Sequence, residues 1–381
     1  MQAKKVDKEP NLLDNNILRG CEPDDIKSLN GCRVTDKINE LVNAAGPKSI
    51  ENFQTTLKCV KRWAKNRGVY SNVLGYPGGV AWALMVAKVC INHPKLETNQ
   101  LLPVFFKYFR DYNWSFDNPV TLEEPIANDP NIIGFQLPDD GKLFYKQMHQ
   151  HKMPIITPAF PAQNATHNIS ESTKKVILTE LEKACLVTSA LIQSPEDPTL
   201  SWARLFKKFP FFKAYEHFIE IQVLSKTEAD HGKWGGFCQS KIKNLLQRLE
   251  IADKHLNSES FDFRPWTNSY RLPDEHFEVC EAFYIGVRIK GGKNVRSHVD
   301  LSETRSLFFD MVHELLVFNQ TVKDLLHEES RPIDMRVCYK ARGELPDEVR
   351  PVNFGTKRLA PEEPQLVIEM VETPSKRVKR D

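Results

Sequence analysis

Apolar positions recur at helical spacing through the first half of the chain and pass into strand-like alternation in the second. From Ser49 onward, Phe53, Leu57, Val60 and Ala64 fall at i, i+4, i+7 and i+11, which predicts a helix with Lys58, Lys61 and Lys65 along its flank. A second helix is predicted over about 78–92 with Val80, Leu84, Ala87 and Ile91 facing inward, and an aromatic-rich third over about 101–112. Upstream, residues before Ser28 are polar and irregular. Asn30-Gly31 reads as a turn, and a short helix follows from Arg33 through Leu41 until Gly46-Pro47 ends it. Residues 118–152 read as a long connection with a turn at Leu137 to Gly141. It delivers Met153 to Pro161, where Pro154, Pro158 and Pro161 impose an extended path. Asn168 or Ser170 is expected to cap a helix from about Glu171 to Ile192.

After Pro195 and Pro198 the rhythm changes. A short helical segment is predicted over Trp202 to Phe212, then a strand over 217–224 and a helix over 233–252 carrying Ile242, Leu245, Leu246 and Leu249. Glu278 to Ile289 reads as a strand or hairpin, Val299 to Leu301 as a short strand, Ser302 to Phe318 as a helix and Met335 to Tyr339 as a last strand. The order β, α, β, β, α, β predicts an antiparallel sheet backed by two helices, the plan of an RNA-recognition module. Domains unrelated to RNA share that plan, and no aromatic RNP motif is visible. The expected fold class is α+β, a helical domain followed by an RRM-like antiparallel sheet domain with two helices.

Composition narrows the class. The 381 residues are 41% hydrophobic and 27% charged, values typical of soluble globular proteins. The net charge of +2 is patchy, because the basic run Lys58, Lys61, Arg62, Lys65, Arg67 and the cluster Lys376 to Arg380 are offset by acids such as Glu362, Glu363, Glu369 and Glu372. A near-neutral total therefore leaves room for a basic groove. The eight cysteines form no C-x-x-C pair, and Cys90 with His93 lacks the second pair that a zinc site needs. They read as reduced thiols of an intracellular protein. No signal peptide is expected, and the longest apolar run, Val80 to Ile91, is too short to span a bilayer; no membrane partner is expected.

The densest candidate chemistry lies between Lys61 and Trp82, K-R-W-A-K-N-R-G-V-Y-S-N-V-L-G-Y-P-G-G-V-A-W. Lys61 and Lys65 leave one helix face a turn apart and could hold an anion between them. Gly75, Gly78 and Gly79 allow close backbone approach, and the following helix start offers N–H groups without intrahelical partners, as phosphate sites do. An ordinary helix corner with solvated lysines has the same spacing.

Four segments together resemble the eukaryotic nuclear poly(A) polymerase family: Ser28-Leu-Asn-Gly-Cys-Arg-Val-Thr-Asp36, Lys61 to Trp82, Met153 to Pro161, and Ala165-Thr-His-Asn-Ile-Ser-Glu-Ser-Thr173. The resemblance runs from about Leu12 to Tyr339. It implies residues 1–29 as the end of a nucleotidyltransferase domain with its connector, 30–212 as a helical central domain and 213–345 as an RRM-like RNA-binding domain. Residues 346–381 would be a disordered tail whose basic cluster reads as a nuclear-import signal. The implied activity is transfer of AMP from ATP to RNA 3′ ends in mRNA polyadenylation, with Mg²⁺ or Mn²⁺ held by three Asp residues. The implied partners are the RNA 3′ end and 3′-end processing factors, and the implied location is the nucleus. By matched position, Asn30, Lys61, Tyr70, Asn72, Gly79 and Val80 are the ATP-contacting residues, Lys61 on the phosphates. The family's Gly-Ser motif and three Asp residues lie upstream of the Ser-Leu-Asn-Gly segment and are not found here, so no catalytic or metal-binding residue is assigned. The chain alone is expected to be inactive. The alternative is a non-catalytic ATP- or RNA-binding relative or scaffold in 3′-end processing.

Overall fold

A computed structural model describes residues 11–124, 151–194, 196–197, 200–255, 261–290, 298–319, 322, 325, 333–350 and 367–369. Most of the expected 118–152 connection, including its 137–141 turn, and the basic cluster of the tail lie outside the described residues. The chain divides into two compact units, one built from residues up to 72 with 76–169 and 177–207, the other from 73–75, 170–176 and 208 onward.

The first unit is helical. Its elements are α1 (Pro23–Ala45), α2 (Ser49–Arg67), α3 (Gly79–Asn92), α4 (Thr98–Asp111) and most of α5 (Glu171–Gln193). The Asn30-Gly31 turn is not formed, because both residues lie inside one continuous 23-residue helix, α1. Ile26, Asn30, Val34, Ile38 and Val42 recur every four residues and are all buried. That stripe outweighs the roughly 1 kcal/mol by which glycine disfavours a helix interior. α3 packs against α1, α2 and α4. It is buried nearly all round, and Trp82 and Trp63 meet edge to face at 5.7 Å, with Phe106 4.8 Å from Trp63. Val80, expected inward, is instead 38% exposed. Side chains tilt toward a helix's N-terminus, so a first-turn residue covers the chain before the helix and not the core beside it.

The second unit holds α6 (Phe211–Ala214), β1 (His217–Ser225), α7 (Glu228–His255), β2 (Phe261–Pro265), β3 (Tyr270–Leu272), β4 (Val279–Ile289), β5 (His298–Asp300), α8 (Ser302–Val317), β6 (Ile333–Ala341) and β7 (Val367–Glu369). Strands run in the order β2-β4-β1-β6, all neighbours antiparallel, with β3 also paired to β4. The strands β1, β2, β4 and β6 with helices α7 and α8 make the expected β, α, β, β, α, β plan. Two details differ. Residues 299–301 do not supply a strand of this sheet, since β5 pairs in parallel with β7, and the second strand of the plan is β2, which the sequence reading passed over. The segment 202–212 is not one helix, because a single 3₁₀ turn at Trp202–Arg204 is separated from α6 by Pro210, which cannot donate a helix hydrogen bond.

Alternation along β1 sends Ile219, Ile221 and Val223 to one face and Phe218, Glu220, Gln222 and Leu224 to the other. α7 packs on β1, and α8 packs on α7. The second face gathers Phe218, Leu224, Cys280, Ala282 and Tyr284 with Phe211, Phe212, Tyr215 and Trp266 in one core. A polar chain also crosses this unit. His231 of α7 bridges the Ser225 hydroxyl at 3.2 Å and Glu281 at 2.8 Å, and the Ser269 hydroxyl donates to the other Glu281 oxygen. Among the described residues, no helix is long and apolar enough to cross a membrane.

Candidate nucleotide-binding site

The site is built where α2 ends and α3 begins. Phe53, Val60, Trp63 and Ala64 turn the apolar side of α2 inward, leaving Lys58 and Lys65 exposed and Lys61 half-buried. Gly68 closes the helix in the left-handed region, with φ of 67°, and its N–H bonds the Ala64 and Lys65 carbonyls. The chain thereby doubles back, and Tyr70 returns alongside α2 with Lys65 Nζ 5.1 Å from its ring centre.

Gly79, the first residue of α3, sits beneath Tyr70 and Lys61. A Cβ at Gly79 would stand 2.8 Å from the Tyr70 hydroxyl and 4.0 Å from Lys61 Nζ, so only glycine leaves this approach open. The helix start behind it has Gly78 at the cap, no side-chain cap hydrogen bond and no acidic residue in its first turn. An ammonium, a hydroxyl and the positive end of a 14-residue helix thus converge on one point, an arrangement complementary to phosphate.

Asn72 adjoins this point through Gly78, whose Cβ, if present, would lie 3.3 Å from the Asn72 Cβ. The Asn72 carbonyl accepts from Asn168 Nδ2 at 3.1 Å, while its own side-chain oxygen is buried without a partner among the described residues. Asn30 lies on α1, 6% exposed, and its amide donates to the Pro161 carbonyl at 3.4 Å; among the described residues its Oδ1 is also buried and unpartnered. An unsatisfied buried acceptor costs about 1–3 kcal/mol, so both oxygens suit a site that receives a donor from a ligand. The structure therefore brings Lys61, Tyr70 and Gly79 together, sets Asn72 beside them and exposes Val80 next to Gly79, whereas the contact Asn30 makes is with Pro161. Sequence reasoning took Asn168 only as a possible helix cap and not as a support of the site. It is 96 residues from Asn72, and no spacing rule connects them.

Among the described residues, no group of three or more His, Cys, Asp or Glu could hold the divalent ion that the resemblance implies. Asp14 is engaged locally, its carboxylate accepting from the Asn16 N–H and side-chain amide.

Family comparison places three poly(A) polymerase domain models on the chain in order: the nucleotidyltransferase domain on residues 1–42, the central domain on 52–208, and the "predicted RNA binding domain" on 210–276. The Schizosaccharomyces pombe poly(A) polymerase pla1 is 37% identical over 253 residues, 66% of this chain and 42% of that protein. The Dictyostelium discoideum poly(A) polymerase is 30% identical over 361 residues, 93% of this chain and 41% of that protein. Nuclear poly(A) polymerase 1 of Arabidopsis thaliana is 36% identical over 261 residues, 68% and 34% respectively. The chain thus spans less than half the length of these relatives. With three domain models of a single family matched in order, and relatives from yeast, amoeba and plant carrying the same name, the chain belongs to the poly(A) polymerase family.

Proposed function

We propose that this chain binds ATP at the Lys61, Tyr70 and Gly79 cluster and the RNA 3′ end through its second unit, as the nucleotide- and RNA-holding part of a polynucleotide adenylyltransferase. The observation that carries the reading is the convergence of Lys61 Nζ and the Tyr70 hydroxyl on Gly79, at a helix start without a side-chain cap. In this reading the Lys61 ammonium and the first N–H groups of α3 neutralise the triphosphate, and the Tyr70 hydroxyl donates to it. The missing Cβ of Gly79 lets the phosphates approach the backbone, and Asn72 Oδ1 accepts from the nucleotide. Asn30 and the exposed Val80 complete the set of contacts.

Divalent metal supplies the family's charge stabilisation at the transferred phosphoryl group. In our reading the chain by itself binds nucleotide without transferring AMP, because the family's Gly-Ser and Asp motifs are not found in its sequence. The reading puts the protein in the nucleus, with mRNA 3′ ends as substrate and 3′-end processing factors as partners; the nuclear relative from Arabidopsis and the Lys376 to Arg380 cluster support it.

Titration calorimetry of ATP into the intact chain tests the first half. Binding weakened about tenfold or more by Lys61→Ala, the size expected for a lost charge-assisted contact, supports the site. Absence of binding in the unmodified chain refutes it. Incubation with an oligo(A) primer, ATP and Mg²⁺ or Mn²⁺ tests the second half, because primer extension would show that the chain supplies its own metal ligands.

A further inference from the structure

In an RNA-recognition module, bases stack on aromatic side chains of the two central strands. The central strands here, β1 and β4, do carry Phe218 and Tyr284 on the face away from α7, yet these are 0% and 1% exposed. Phe212 lies over both, its ring centre 5.6 Å from that of Phe218 and 5.2 Å from that of Tyr284. The Tyr284 hydroxyl is committed to buried Glu220 at 2.7 Å. One register step on, Gly286 lies under Tyr215, so close that a Cβ would stand 2.7 Å from the tyrosine ring. The chain's own side chains fill the place that bases take in such a module.

Positive charge surrounds that filling at one end of the sheet. Arg264, Gly286, Phe218 and Lys340 are directly opposite one another across β2, β4, β1 and β6, so Arg264 and Lys340 flank the Tyr215 position on the same face. Arg288, two residues along β4, shares this face, its guanidinium 5.2 Å from the Tyr215 ring centre. Arg342 Nε donates to the Tyr215 carbonyl at 2.7 Å. The nearby acids are engaged: Asp262 with Lys290 at 3.1 Å, Glu216 with Arg342 at 3.7 Å, and Glu344 with the Ala341 N–H. Exposed Arg288 and half-exposed Lys340 make no ion pair among the described residues.

We propose that Arg288 and Lys340, positioned around Tyr215 with Arg342, hold the phosphates of single-stranded RNA, so that this domain grips the backbone and reads no bases on its strand face. The inference rests on the RNA-binding reading above and specifies which surface serves it. A backbone grip is indifferent to base identity and is weakened by salt.

Fluorescence anisotropy of the intact chain with labelled oligo(A) and oligo(U), measured across a KCl series, tests it. The Arg288→Gln, Lys340→Gln double variant should bind both oligomers about tenfold more weakly, with a salt slope smaller by about 1.4, at ~0.7 per phosphate contact for single strands. Lys233→Gln, on exposed α7 surface, should change neither, and Arg288→Lys should keep most of the affinity. An unchanged slope in the double variant, or a loss confined to oligo(A), overturns the proposal. If the unmodified chain binds neither oligomer, the RNA reading itself fails and this one with it.

Discussion

Arg67 Nε lies 2.6 Å from Glu180 Oε2, pairing the last residue of α2 with a carboxylate of α5 that is fully buried. The same guanidinium donates to the Lys207 carbonyl at 3.1 Å, so the end of the helix that carries Lys61 is fixed from behind. Arg67→Met should destabilise the chain by about 3 kcal/mol, because a buried carboxylate loses its closest cation. Pairing it with Glu180→Leu should recover most of that loss. Urea unfolding measures both, and a single variant within about 0.5 kcal/mol of the parent would show that the pair contributes little.

Gly79→Ala places a methyl group against the Tyr70 hydroxyl. Overpacking of this kind costs about 1–3 kcal/mol. Adding Tyr70→Phe removes the clashing oxygen and should restore the melting temperature but not ATP affinity, since the donor goes with the oxygen. If affinity recovers along with stability, Tyr70 is a packing residue and not a ligand.

Gly31 sits on the exposed side of α1, and a Cβ there would meet nothing within 4 Å. Gly31→Ala should therefore stabilise the chain by roughly 0.5–1 kcal/mol, through the helix interior and the unfolded chain alike. A lower melting temperature would mean that the position serves something other than the helix.

Burial works against charge on Glu281, but hydrogen bonds from Ser269 and His231, aided by the charge of Arg271, hold its carboxyl below the ordinary value of 4.5. A carboxyl depressed on folding contributes stability that is fully present above its unfolded value and is lost as pH falls through the folded one. Glu281→Gln should accordingly lower the melting temperature at pH 7. The gap to the parent should narrow as pH drops below about 4.5. A gap independent of pH would assign the loss to packing.

Periodicity made α2 through α5, α7 and α8 legible because each has a continuous apolar face. α1 escaped because Asn30-Gly31 is strong local punctuation, and its competing evidence, the stripe Ile26 to Val42, decides only once other helices are there to bury it. Phe261 and Phe263 alternate as a strand should, but β2 is five residues long and ends in proline, too little to stand out from a loop. At the candidate site, the resemblance supplied the residues and the backbone supplied their meeting. Arg67-Gly68 is readable as a helix stop, whereas the placement of Tyr70 over Gly79 follows from the left-handed turn at Gly68 and from packing that no local pattern encodes.

The continuity of α1 bears on where this protein can be divided. The nucleotidyltransferase match stops at residue 42 and the central-domain match starts at 52, which suggests a seam between them. Yet α1 runs through to Ala45, packs against both α2 and α3, and buries Val34, Ile38 and Val42. Cleavage at that seam would split a helix from the neighbours that solvate its apolar side in place of water. The two matches are separate along the chain but share one compact unit, so a central domain cut at residue 52 would lose α1 and expose the apolar surfaces of α2 and α3 that it covers.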